Sequence, residues 1–220
     1  MATVSESGNL DFIQARVAHA QALALAPGNA LVLRSSGGFE TLMGHFEAGL
    51  AALRRARVLD PLARSTHSAL GQGLYNARRY DEAVEAYIEA SRLQPDYAAA
   101  YGELGLAYYG LGDLEHARAS CETKRDDWLS QQCLALVYER LGRHTDAQAQ
   151  LSRLDGDVLA YQYATIYGQW GDVPKALAWL ETALMLRDPG LFGLKTAPLL
   201  DPLRKEPRFQ AIERQLKFPI

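Results

Sequence analysis

One spacing limits what this chain can fold into: its landmarks recur every 34 residues. Gly37, Gly71 and Gly105 are 34 apart, and so are Gly49, Ala83 and Ala117. Pro27, Pro61 and Pro95 keep the same interval, as do Ala22, Ala56 and Ala90. A fixed period of this length implies a stack of similar units, none of which can bury its apolar face alone. Three units align without a gap, at 30–63, 64–97 and from 98 onward. Two compressed units follow. Gly112, Gly142 and Gly171 are spaced by 30 and then 29, with Ala117, Ala147 and Ala176 in step. Residues 11–29 match only the second half of a unit.

Within a unit, apolar residues fall three and four apart, as in Leu70 and Leu74 and then Ala83, Tyr87 and Ala90. That is the spacing of one helix face. Turns such as NARRYD and GLGDLE split each unit into two helices, and Pro95 stops the second. Gly71 and Gly105 fall in first helices, and Ala83 and Ala117 in second helices, where two helices must touch. A glycine inside a helix costs about 1 kcal/mol against alanine; close approach offsets it through packing contacts. Leu74, Tyr108, Tyr138 and Tyr167 on first helices, and Tyr87, Leu151 and Leu180 on second ones, read as the core between them.

A 34-residue helix–turn–helix with these small, large and proline landmarks resembles the tetratricopeptide repeat, over about residues 11–187. The resemblance implies an all-α fold, a superhelix of helical hairpins with a C-terminal capping helix. The expected organisation is a flexible N-terminus at 1–10 and a half repeat at 11–29. Repeats follow at 30–63, 64–97, 98–127, 128–156 and 157–187, and then a cap at 188–220. Lys124 and Leu154 replace the small residue near the end of the second helix, and CETKRDDW and LSRLDGD are short. Distortion is therefore expected between about 120 and 157.

A solenoid exposes an apolar face at its last unit. Phe209, Ile212 and Leu216 at helical spacing, with Glu206 and Pro207 suited to a first turn, are expected to cover it. From Lys195 to Ile220 there are six basic and three acidic residues, too sparse for a membrane- or nucleic-acid-binding arm. The order of compressed repeats, RDPGL and PLLDPLRKEPRFQAIERQL also resembles the C-terminal repeat region of bacterial signalling regulators. Those carry a winged-helix, class III nucleotide cyclase or kinase domain upstream, and none of these is present here. The half repeat lacks its partner helix, so residues 11–26 are expected to pack on an upstream domain or to pair with a second copy.

Formal net charge is −3, which disfavours direct nucleic-acid binding, including by RNA-reading helical repeats. No apolar run is long enough to cross a bilayer, and the start lacks the regions of a signal peptide. No nucleophile elbow, H-E-x-x-H or P-loop occurs, and the five histidines are scattered singly, so no enzyme, metal or cofactor is expected. Cys121 and Cys133 are the only cysteines. They read as small buried hydrophobes in a reducing cytoplasm, with a disulfide as the lesser reading.

A binding module remains. Tetratricopeptide repeats generally hold a peptide or helix on the concave surface lined by first helices. Carrying the helical phase across, that groove presents Arg34, Gln72, Tyr75, Asn76, Glu103, Tyr109, Gln132, Tyr161 and Gln162. Tyr75, Asn76 and Tyr109 lie off the face of Gly71, Leu74, Gly105 and Tyr108, so they are expected to be open to a protein or peptide partner. Some family members grip an acidic chain terminus with a carboxylate clamp. The corresponding places here hold Arg34, Gly38, Ala99 and Glu103, only one of them basic, so such tails are not expected partners.

Overall fold

The computed structural model describes residues 11–154 and 159–219; residues 1–10, expected to be flexible, lie outside them. Helix α1 spans Phe12–Leu25. Five hairpins follow: α2 (Ala30–Leu42) with α3 (Phe46–Leu59), α4 (Arg64–Asn76) with α5 (Tyr80–Leu93), and α6 (Ala99–Leu111) with α7 (Leu114–Thr123). The last two are α8 (Trp128–Arg140) with α9 (His144–Leu151), and α10 (Ala160–Gln169) with α11 (Val173–Leu186). Two 3₁₀ turns, Pro189–Gly193 and Pro198–Leu203, lead to α12 (Pro207–Leu216). No strand occurs among the described residues. The distortion falls on the second helices: α7 has 10 residues and α9 has 8, against 14 in α3, α5 and α11.

Local chemistry sets the helix boundaries. The side chain of Asn29 accepts from the backbone N–H of Leu31 at 2.9 Å, and Asp127 does the same for Leu129 at 3.0 Å. Asp113 and Asp172 accept from the third residues of their helices at 3.2 Å. Each satisfies a helical donor that has no partner within the helix. The turn between the helices of a hairpin uses a left-handed residue one period apart: Gly44, Arg78, Gly112, Gly142 and Gly171, with φ of 87°, 60°, 84°, 73° and 81°. Four are glycine, which adopts this conformation freely. Arg78 is the exception.

The packing slot between paired helices is equally periodic. Leu53, Tyr87, Cys121, Leu151 and Leu180 recur at the landmark spacing, all of them buried. Leu53, Tyr87 and Cys121 face Gly37, Gly71 and Gly105 of the first helices. A Cβ on Gly71 would come within 2.7 Å of the Tyr87 ring, and one on Gly105 within 2.0 Å of Cys121 Sγ. In the third hairpin the slot is filled by a disulfide joining Cys121 of α7 to Cys133 of α8, with Cα atoms 6.4 Å apart. This corrects the reading of two unlinked cysteines. Cys121 stands where the preceding repeat has Tyr87. Because α7 is short, α8 comes close enough for Cys133 to supply the missing volume.

The ends of the solenoid are not independent. A second core cluster joins Phe12, Phe39 and Met43 of the first helices to Tyr161, Ala164, Leu177 and Leu180 near the last. Leu191, Leu194, Leu200 and Leu203 of the 3₁₀ segment lie between them. Phe12 packs on Phe192 and Phe218, with ring centroids 4.9 and 4.4 Å apart. Phe209, Ile212 and Leu216 of α12, each buried, pack into this cluster beside α11.

Candidate partner-binding face

The inner face of the superhelix is lined by α2, α4, α6, α8 and α10, and part of it is already occupied. The segment 189–203 lies across it. Arg78 Nη1 donates to the carbonyl of Thr196 at 2.8 Å, and Nη2 pairs with Asp201 at 2.6 Å. The same guanidinium donates to the Asn76 carbonyl. The Thr196 hydroxyl donates to the carbonyl of Leu42 at 3.4 Å. A relay runs inward from α6: the Tyr109 hydroxyl donates to Gln169 Oε1 at 3.1 Å, and Gln169 Nε2 donates to the Leu199 carbonyl at 2.8 Å. Leu191, Leu194, Leu199, Leu200 and Leu203 are all buried. At the start of the segment, the buried Asp188 carboxylate accepts from Tyr161 N–H at 3.0 Å and Gly190 N–H at 2.8 Å.

This occupancy corrects the expected exposure of Tyr75, Asn76 and Tyr109, whose relative exposures are 6%, 2% and 5%. Helical phase placed them on the inner face, but a distant part of the chain covers it. Tyr161, at 9%, lies with them, its ring so close to Gly190 that a Cβ there would meet it at 2.4 Å. Burial pushes the phenols of Tyr75, Tyr109 and Tyr161 above their ordinary range.

The other predicted residues form a separate, polar row. Arg34 donates to the Ser65 hydroxyl. Exposed Gln72 donates to Asn76 Oδ1 at 3.1 Å. Half-buried Glu103 accepts from the Ser68 hydroxyl at 2.9 Å. Its carboxyl is pushed up by burial, against the pull of the Ser68 bond and the Arg64 guanidinium. Buried Gln132 donates to the Thr165 hydroxyl at 2.7 Å. Two buried side-chain atoms on this face, Asn76 Nδ2 and Gln162 Oε1, have no hydrogen-bond partner among the described residues. No cluster of three or more metal-ligating side chains occurs among the described residues, and no helix there is long and apolar enough to cross a membrane.

Sequence reasoning missed Arg78, Gln169 and Asp188. One signal was available for Arg78: it interrupts the turn-glycine series of 44, 112, 142 and 171. A non-glycine residue held in the left-handed region carries strain that its contacts must offset. Here those contacts are to the far end of the chain. Gln169 and Asp188 carry no such mark, because their partners are set only by the path of the tail.

An all-α solenoid of paired helices with an inner face presented by the first helix of each pair has the architecture of a tetratricopeptide repeat protein. The family model described as TPR repeat matches residues 74–112. The Hsp70-Hsp90 organizing protein of Triticum aestivum is 35% identical over 99 residues, covering 45% of this chain and 16% of that protein. The TPR repeat-containing thioredoxin TTL4 of Arabidopsis thaliana is 31% identical over 111 residues, 50% of this chain and again 16% of that protein. The chain thus spans about a sixth of the length of these curated relatives. Among solved structures, MamA is 26% identical with a TM-score of 0.54, covering 65% of this chain and 86% of that one. PilF of Pseudomonas aeruginosa shares the fold at 17% identity and a TM-score of 0.56, covering 84% and 88%. YrrB, described as a TPR protein with an unusual peptide-binding site, shares it at 17% and 0.50, covering 81% and 96%.

Proposed function

We propose that the protein is a non-catalytic protein-interaction scaffold that takes a peptide segment of a partner on its inner face. The observation that carries this reading is the way the face holds residues 189–203. It grips main-chain carbonyls at 196 and 199 through side-chain donors, and it buries Leu199 in one core with Tyr75 and Tyr109 and the other four leucines in one core with Tyr161. Side-chain donors to a peptide backbone, with apolar pockets between them, are a general means of binding an extended segment. The chain's own tail therefore acts as an intramolecular ligand. A partner would engage Tyr75, Asn76, Tyr109 and Tyr161 by replacing it, with Arg34, Gln72, Glu103, Gln132 and Gln162 forming the polar side of the site. Burial of the five leucines is worth on the order of 10 kcal/mol before the entropy of ordering the segment. Only a partner of similar apolar content can compete.

The test is a full-length variant in which Leu199→Ser and Leu200→Ser loosen the tail. Its melting temperature should fall while helicity is retained. A synthetic peptide of residues 188–205 with the native sequence should then bind saturably and restore the melting temperature. Adding Arg78→Ala to the variant should weaken that binding. A helical variant that takes up no peptide would make the tail part of the fold rather than a ligand.

A second reading is that the chain is the regulatory C-terminal module of a larger bacterial signalling protein. It is favoured by the exposed apolar side of α1, which an upstream domain could cover. The proposed cytoplasmic location is opposed by the Cys121–Cys133 bond, since reducing compartments keep such thiols apart.

A further inference from the structure

Helix α1 has apolar residues on two sides. One side, with Phe12, packs into the molecule. The other exposes Ile13 at 58% and Val17 at 51%, followed by Ala20 and Ala24, also exposed. At 3.6 residues per turn these four residues lie within roughly 60° of one another, a narrow straight stripe. The order along it is large, large, small, small.

We propose that this stripe is the contact surface for a second copy of the chain, with the two α1 helices antiparallel about a two-fold axis between Val17 and Ala20. It rests on the reading of the protein as a protein-binding solenoid and names one partner, on a surface separate from the inner face. The size pattern selects the occupant. In an antiparallel pair centred there, Ile13 falls opposite Ala24 of the second copy, and Val17 opposite Ala20. Every large residue meets a small one, twice over, as a self-complementary two-fold interface requires. A parallel pair would set Ile13 against Ile13 and leave the alanines facing each other across a gap.

The flanks agree. On one side Gln14 comes beside Gln21 of the second copy, where two amides can exchange hydrogen bonds. On the other, Arg16 comes beside Leu23, so its aliphatic stem covers a leucine and no like charges meet. Arg16 is the only formally charged residue in α1. Antiparallel helix dipoles also attract. At the ends, Leu25 of the second copy, 87% exposed in the monomer, reaches the Ile13 end, where Leu184 lines a common cleft with Ile13. Two helices of this length make an interface near or below about 1,200 Å², the lower range for specific contacts, so the dimer is weak and concentration-dependent.

Sedimentation velocity on the full chain across a concentration series should show a reversible monomer–dimer equilibrium. Val17→Arg should weaken it by at least about tenfold, because it buries an unpaired charge, and should leave the melting temperature unchanged, because residue 17 is exposed in the monomer. Register is read by cross-linking. Full-length Ile13→Cys and Ala24→Cys proteins, mixed under mild oxidation, should form the 13–24 disulfide at least about tenfold faster than either protein forms a homodimer, through raised effective concentration. The natural disulfide is buried and stays out of the exchange. Wild-type protein that remains monomeric throughout would overturn the proposal and assign the stripe to an upstream domain or a different protein. Equal rates of 13–13, 24–24 and 13–24 cross-linking would overturn the antiparallel register. Neither result would bear on peptide binding to the inner face.

Discussion

The repeats at 64–97 and 98–127 begin from the same pattern and end in different chemistry. In the first, Tyr87 fills the slot opposite Gly71 with one ring. In the second, Cys121 stands one period later opposite Gly105, and the volume is completed by Cys133 from the next helix. The turns differ in the same way: Gly112 adopts its left-handed conformation freely, whereas Arg78 adopts it under strain and spends its side chain on the tail. Position within a repeat fixes where a side chain points. Which partner it meets depends on what arrives from outside the repeat.

The sharpest way to break the comparison is to empty the two slots. Tyr87→Ala should cost about 3–5 kcal/mol, as large aromatic truncations in cores do, read by chemical denaturation. The double change Cys121→Ala and Cys133→Ala should cost less, about 2–4 kcal/mol, because the lost constraint closes only a short loop. If the disulfide repeat proves the more sensitive of the two, the cross-link does more than replace a tyrosine ring.

The turns give a smaller and more discriminating effect. Arg78→Ala keeps the left-handed strain and loses the bonds to Thr196 and Asp201, for about 1.5–3 kcal/mol. Arg78→Gly loses the same bonds but relieves the strain, so it should be milder than alanine by about 1 kcal/mol. Equal losses would mean that the turn at 78 is not strained.

The smallest effect concerns Glu103, which stands one period after Ala69 on the inner face. Its carboxyl is raised by burial, so the folded protein binds a proton more tightly than the unfolded chain. Stability from this group is therefore present at low pH and lost as pH rises through the folded value. Glu103→Gln should stabilise modestly at neutral pH, and the gain should vanish as pH drops into the ordinary carboxylate range. A gain independent of pH would point to packing instead.

The sequence alone determined the helical hairpins, their order and the small-against-large pairing within each, because these depend on contacts three, four and about 34 residues apart, which a periodic pattern records. It also assigned Tyr75 and Asn76 to one first helix and Tyr109 to the next, but not their burial, which puts Tyr75 and Tyr109 in the same core as Leu74. Tertiary structure decided that the inner face is filled, that Arg78 and Gln169 hold the segment filling it, and that Cys121 finds Cys133. The contacts of the tail join residues up to 154 positions apart, as in Thr196 with Leu42. The tail contacts depend on the curvature of the stack, which brings its first and last repeats within reach of one short segment, and no local pattern in the chain encodes that distance; the Cys121–Cys133 bond spans only 12 residues but depends on how closely α8 packs on α7.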